Sequence, residues 1–356
     1  MSREKKVLVV GTGTIGEPLI GLLSAYQEKL GLDEVIFHKR TPLLTDRSKV
    51  KALIRRGAKL ATDEDRVSSF EELDVGTATY TTEEALEEAA VVIDCTPAGN
   101  KMKEEYYNDY AHNTELFIAQ GSEFGFGKMY ARGINDRALI HGEDKFIQVV
   151  SCNTHNISVL IDTLALQDGQ DNLNKGRFLC VRRSNDLSQD GSFIPSPEVG
   201  KHKDPIFGTH HARDAYHLFK TMGQELDLFS SALKLNTQYM HVIQYHLELN
   251  KPTDLDSLMD RINANDLIAT TYKKTANSVF SFGRDHGFFG RILNQTVIPT
   301  ETLAVIEGGK EVVGYCFTPQ DGNSILSSIA ATLWALYPDS YEDKVQCLAE
   351  WYFDEV

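Results

Sequence analysis

One glycine-rich turn, placed directly after the first apolar strand, constrains this chain more than any other feature. Val7-Leu8-Val9-Val10 reads as a short β-strand. Gly11-Thr12-Gly13-Thr14-Ile15-Gly16 follows without a break, and Pro18-Leu19-Ile20-Gly21-Leu22-Leu23 then carries helical spacing. A Gly-x-Gly-x-x-Gly triplet alone is weak, because plain turns produce it too. Between a strand and a helix it has the context that a dinucleotide-binding turn requires. There the glycines permit a tight turn and close backbone approach, and the helix N-terminus faces the pyrophosphate.

The apolar runs that follow repeat the strand–helix pattern. Val35-Ile36-Phe37, Val91 to Cys95, Leu116 to Ala119 and Phe146 to Val150 read as further strands. Such alternation predicts a parallel sheet with helices on both faces. Between them, Glu83, Glu84, Glu87 and Glu88 within Thr81–Ala90 read as the solvated face of a helix and carry no function. After Cys152 the texture changes. Phe178 to Arg183 and Tyr239 to Leu249 read as longer strands, and Ser184 to Thr209, rich in Ser, Pro, Gly and Asp, reads as loop. From Asn323 to Trp351 helical periodicity returns. The expected fold is therefore α/β: an N-terminal Rossmann dinucleotide-binding domain over 1–151 and 323–356, and an α+β catalytic domain over 152–322. The C-terminal helix is expected to return to the first domain.

At 356 residues the chain is long enough for two such domains. Its net charge of −15 excludes a general nucleic-acid or anionic-membrane surface, which needs a basic face. No run reaches the roughly 20 apolar residues of a membrane span, and Met1 to Lys6 lead straight into the first strand with no signal-peptide pattern. The five cysteines are scattered, odd in number and without Cys-x-x-Cys spacing. That predicts a reducing, cytoplasmic setting with neither a disulfide framework nor a bound metal.

Several residues suggest chemistry. NAD-specific sites usually end the second strand on a carboxylate for the ribose 2′-hydroxyl. Here the strand ends on His38-Lys39-Arg40, two cations that suit a 2′-phosphate, so NADP is preferred over NAD. Cys152 lies between an apolar strand and a helix expected over Ile157–Leu164, among the polar residues Ser151, Asn153, Thr154 and His155. A helix N-terminus lowers a thiol pKa, whereas Cys95, Cys180 and Cys316 sit in apolar runs and read as inert. Composition alone leaves Cys152 open between nucleophile and bystander. Arg182-Arg183 ends a strand and suits phosphate or a surface carboxylate equally. His210-His211 and His241 are titratable near neutrality, although a lone histidine on an apolar strand reads more readily as a core residue.

Taken together these pieces resemble the archaeal-type glyceraldehyde-3-phosphate dehydrogenase family. The matching residues are the glycine turn, Asp94-Cys95-Thr96-Pro97, Gln120-Gly121, Val149-Val150-Ser151-Cys152-Asn153-Thr154, Arg182-Arg183 with Asp186, Ile194-Pro195-x-Pro197, His210-His211-x-x-Asp214 and Met240-His241. They run in the family's order from residue 7 to near 345, with insertions around 60–80 and 200–208. The resemblance implies Cys152 as nucleophile and His241 as base. It implies that Ser151, Asn153, Thr154, Arg182, Arg183, His210 and His211 hold substrate and phosphate. The cofactor residues it implies are Gly11 to Gly16, Lys39, Arg40, Thr96, Pro97, Gln120, Gly121 and Asp186. The implied partners are a phosphorylated aldehyde and inorganic phosphate, and the implied assembly is a homotetramer.

The family's Cys-Asn-Thr-Thr-Gly, with an arginine seven residues after the cysteine, is here Cys152-Asn153-Thr154-His155-Asn156 with Val159. Its His-His-Gly-Pro-Asp is His210-His211-Ala212-Arg213-Asp214. These departures are expected on the substrate side, so other readings stay open: another aldehyde or semialdehyde, a CoA-acylating reaction, or a nucleotide-binding redox sensor.

Overall fold

The computed structural model describes residues 3–167, 170–186, 189, 191, 193–237, 239–319 and 321–356, with backbone only at 167, 170 and 171. It divides into two compact units. The first comprises Met1–Lys128, Leu139–Val149 and Ser327–Cys347; the second comprises Met129–Ala138, Val150–Leu326 and Leu348–Val356.

The first sheet consists of β1 (Lys6–Val10), β2 (Glu34–His38), β3 (Lys59–Thr62), β4 (Tyr80–Thr81), β5 (Val91–Asp94), β6 (Leu116–Gln120), β7 (Lys128–Tyr130) and β8 (Phe146–Val149). Their order is β4-β3-β2-β1-β5-β6-β8-β7, and β1 is parallel to both β2 and β5. The strand order reverses between β1 and β5, the topological switch point at which Rossmann-like sheets bind ligands. Val7, Leu8 and Val9 are at most 1% exposed because helices cover both faces, which is why β1 reads as an unbroken apolar run. The helix Gly16–Ala25 buries Leu19, Ile20, Leu22 and Leu23. The helix Thr82–Glu88 opens on a capping box between Thr81 and Glu84 and turns its glutamates to solvent, as its charge pattern predicts.

The second unit holds a small β9–β10 hairpin (Leu166–Gln167, Gln170–Asp171) and a mixed sheet. Its strands are β11 (Leu173–Arg182), β12 (Glu198–Val199), β13 (Leu228–Lys234), β14 (Val242–Leu249), β15 (Ile268–Thr271), β16 (Thr296–Pro299), β17 (Ala304–Ile306) and β18 (Glu311–Phe317). The order is β12-β13-β11-β14-β18-β16-β15, with β17 on β18. Period-two alternation buries Phe178, Cys180, Ile243, Tyr245, Val312 and Cys316 on one face. The helices Cys152–Leu164 and His210–Lys220 contribute Ile157, Leu160, Ala215 and Leu218 to the same core. The strand expected from Tyr239 starts only at Val242, so His241 precedes it. Among the described residues no helix is long and apolar enough to cross a membrane.

Candidate active site

In the first unit the residues expected to hold a cofactor converge at the carboxyl ends of four parallel strands. Gly11 to Gly16 follow β1, Lys39 and Arg40 follow β2, Thr96 and Pro97 follow β5, and Gln120 with Gly121 closes β6. Gly11 has φ +95°, and a Cβ on Gly16 would lie 2.1 Å from the Gly11 carbonyl oxygen, so both positions need glycine. A Cβ on Gly13 would meet nothing within 4 Å, which leaves the turn open to close approach by a ligand. Buried Asp94 accepts from the Thr96 N–H at 2.7 Å and the Tyr107 hydroxyl at 2.6 Å, fixing the turn after β5. Burial raises its carboxyl pKa. Gln120 donates to Ser328, while its buried Oε1 has no partner among the described residues.

The basic end of β2 is less bare than its sequence. Lys39 pairs with Asp46 at 2.8 Å, and Lys49 reaches both Asp46 at 3.3 Å and the Thr12 carbonyl at 3.2 Å. Asp63 pairs with His38 and Arg40, each at 3.4 Å. Two carboxylates that local sequence did not place therefore accompany the cations.

The second unit assembles the cysteine cluster. Ser151 caps the helix Cys152–Leu164: its Oγ lies 3.4 Å from the Thr154 N–H and 3.4 Å from His211 Nδ1. Cys152 is the first helical residue and is half-buried. The Cys152 carbonyl accepts from Asn156 and Asn323 Nδ2, each at 3.1 Å. The thiol does not follow the lowered pKa expected of a helix N-terminus. Burial first, and then the Asp321 carboxylate, push it up against the opposing charges of Arg183 and Arg182.

Arg183 is 5% exposed, and its guanidinium lies 2.9 Å from Asp186 and 3.3 Å from Asp321. Its backbone N–H donates to His241 Nδ1 at 3.1 Å. That bond assigns the lone pair to Nδ1 and, in the neutral ring, the proton to Nε2. Burial, then the charges of Arg183 and Arg182, hold the His241 pKa well below the usual imidazole range. Among the described residues no hydrogen bond joins the Cys152 thiol to His241.

The rings of His210 and His211 lie 3.9 Å apart. Burial, then Arg182, lowers the His210 pKa to about 4. His211 Nε2 and Arg182 Nε are buried without a protein partner among the described residues.

The departures expected on the substrate side turn inward instead. His155 is fully buried with Nδ1 3.1 Å from the Ser151 carbonyl, and Asn156 donates to Thr318 Oγ1 at 2.6 Å. Thr318 in turn donates to Asn153 Oδ1 at 3.2 Å. Val159 and Ala212 are core residues, and Arg213 pairs with buried Asp214 at 2.8 Å. Of these, His155 and Asn156 brace the first turn of the cysteine helix, through the Ser151 and Cys152 carbonyls.

No protein-family model matches the chain. Individual proteins do. A glyceraldehyde-3-phosphate dehydrogenase of Methanobacterium formicicum is 30% identical over 318 residues, 85% of this chain and 86% of that one. The chain belongs to the archaeal-type glyceraldehyde-3-phosphate dehydrogenase family. Proteins of the same name from Methanococcoides burtonii (27% identical over 315 residues, 85% of each chain) and Pyrobaculum calidifontis (26% over 266 residues, 72% of this chain and 69% of that one) agree.

As a member of this glyceraldehyde-3-phosphate dehydrogenase family the chain is an oxidoreductase, and the two-unit α/β fold is the one the resemblance implied. Sequence reasoning missed Asp321, Thr318 and Asn323 around the cysteine, and Asp46 and Lys49 at the glycine turn. Asp321-Gly322 before a helix reads as an ordinary turn. No local signal separates it from one.

Proposed function

We propose that this protein catalyses the reversible, phosphorylating oxidation of glyceraldehyde 3-phosphate to 1,3-bisphosphoglycerate through a covalent adduct on Cys152, with NADP preferred over NAD. The observation that carries this reading is one buried cluster in which a thiol at a helix start shares its surroundings with Arg182, Arg183, His211 and His241. The unmet donor Arg182 Nε, and His211 Nε2 where that nitrogen carries the ring proton, are what a phosphate-bearing substrate would satisfy.

The chemistry then follows from the groups in place. The Cys152 proton leaves to solvent, and the thiolate attacks the aldehyde carbon, forming the C–S bond and an alkoxide. His241 presents Nε2–H, so its fitting role is donor to that oxygen rather than base, because the lone pair a base needs is taken up by the Arg183 N–H. The dinucleotide, when bound, would supply the hydride acceptor needed to turn the Cys152 adduct into a thioester. Phosphate oxygen attacks the thioester carbon, the C–S bond breaks, and the Cys152 thiolate leaves with the acyl phosphate released.

Gly11 to Gly16, Thr96, Pro97, Gln120 and Gly121 would hold the dinucleotide, an assignment supported by the open space at Gly13 and the unmet Gln120 Oε1. Lys39, Lys49 and Arg40 suit a 2′-phosphate. Asp46 and Asp63 beside them suit ribose hydroxyls and keep NAD as the second cofactor. Asp186, the cofactor residue implied by resemblance, has its carboxylate on Arg183. Self-association, as the homotetramer that the resemblance implies, is supported to the extent of an apolar face on the second sheet, where Leu179, Val181, Val242 and Val313 are half-buried and Tyr315 is 46% exposed. Steady-state assays with each cofactor, with and without phosphate, test the reading. Phosphate-dependent NADPH formation is expected, and turnover that requires CoA or another aldehyde would displace it.

A further inference from the structure

Thr318 and the turn of Asp321, Gly322 and Asn323 pack against the first turn of the cysteine helix. Thr318 Oγ1 donates to Asn153 Oδ1 at 3.2 Å and its N–H donates to the His241 carbonyl at 3.0 Å, while Asn323 donates to the Cys152 carbonyl at 3.1 Å. Gly322 is pressed against the chain, since a Cβ there would lie 1.8 Å from the Ile292 carbonyl oxygen. Within this turn Asp321 is 5% exposed and sits at φ +65°, a left-handed conformation that Asp and Asn tolerate better than most residues. Its carboxylate is 3.3 Å from the guanidinium of Arg183, itself 5% exposed.

We propose that Asp321 is a positioning residue that holds Arg183 and partly cancels its charge beside Cys152, so that Asp321 sets the pH at which the nucleophile ionises. The proposal rests on the reading of Cys152 as the nucleophile. The charged and titratable groups around the thiol are Asp321 from this turn, Arg182, Arg183 and Asp186 from the end of β11, and His155 on its own helix. His241 and the His210–His211 pair complete the set. Of these, His155, His210, His211 and His241 are neutral at pH 7, because burial lowers each of them. The balance around Cys152 therefore lies between two arginines and two carboxylates. Asp321 is the carboxylate that weighs most against the thiolate, and it opposes Arg183 directly.

The test is the pH profile of Cys152 alkylation by iodoacetamide, followed by peptide mass spectrometry, in the wild type and in Asp321→Asn. Removing a like charge from a partly desolvated thiol moves its ionisation by about one unit or more. The profile of Asp321→Asn is expected to shift to lower pH, with alkylation at pH 7 faster by roughly tenfold. Arg183→Met is expected to shift the profile the other way. Should Asp321→Asn not fold, Asp321→Gly accepts the same backbone conformation and must give the same downward shift. An unchanged or upward-shifted profile in the Asp321 variant would overturn the proposal. Retained turnover in Cys152→Ser would instead remove the nucleophile reading, an outcome the alkylation profile does not depend on.

Discussion

A single hydrogen bond at His241 bears on the role proposed for it. The family resemblance implies a base, yet the Arg183 N–H occupies Nδ1 and, in the neutral ring, leaves Nε2 as a donor. His241→Asn is therefore expected to lower kcat/KM by about a hundredfold to a thousandfold, the usual loss for one oxyanion donor. The loss should be the same from pH 6.5 to 9, because a neutral donor does not titrate there. A deficit that fades as pH rises would restore the base. The type and position of such residues are legible in sequence because Ser-Cys-Asn-Thr, Arg-Arg and Met-His are local words. Their partners are not. Asp321 reaches Arg183 from 138 positions away, and Asp63 reaches His38 from 25. Only the folded chain brings those carboxylates to the cations, which is why the end of β2 looked purely basic and the thiol looked activated.

At the scale of elements, β1, β2, β5, β6 and β8 follow the apolar runs that announce them, since a strand covered on both faces reads as unbroken Val, Ile and Leu. Two starts differ: β11 begins at Leu173, ahead of the expected Phe178, and β14 begins at Val242, after the expected Tyr239. At β14 the Arg183 N–H turns to the His241 imidazole nitrogen instead of a strand carbonyl, and the β-ladder with β11 begins at Val242, three residues after Tyr239. Periodicity carries no trace of that choice. The glycine turn gives a paired expectation. Gly13→Ala places its Cβ in open space, so stability should change by no more than about 0.5 kcal/mol while dinucleotide affinity falls by roughly tenfold or more. Gly16→Ala drives a Cβ into the Gly11 carbonyl, so both the melting temperature and binding should fall. Calorimetric titration beside thermal melts separates the two. Equal losses of stability in both variants would show that the turn is only structural.

For the whole molecule, buried titratable groups fix the response to acid. Burial lowers His155 and His210 to about 4, below the roughly 6.5 of an unfolded imidazole, and holds His211 and His241 well below that value too. Between those values the unfolded chain binds more protons, so the stability held above about pH 6.5 is lost as pH falls toward 4. Burial raises Asp162 and Asp214 to about 6, and these act with the opposite sign: their contribution is present at low pH and lost as pH rises toward 6. Burial also lowers His38 and His217 and raises Asp94, so six histidines oppose three aspartates; the melting temperature should fall from pH 6.5 to 4.5, and His155→Asn should flatten that fall. A melting temperature that rises toward acid would contradict the assignment of neutral buried imidazoles.

The central claim is covalent capture on Cys152, and the most direct measurement looks for the captured acyl group. Enzyme, NADP and glyceraldehyde 3-phosphate are mixed in phosphate-free buffer, quenched, and weighed by mass spectrometry while NADPH absorbance is followed. The expected result is an NADPH burst stoichiometric with subunits, an acyl mass on the Cys152 peptide, and release of both adduct and further turnover when phosphate is added. Sustained turnover without phosphate and without any adduct on Cys152 would contradict the account.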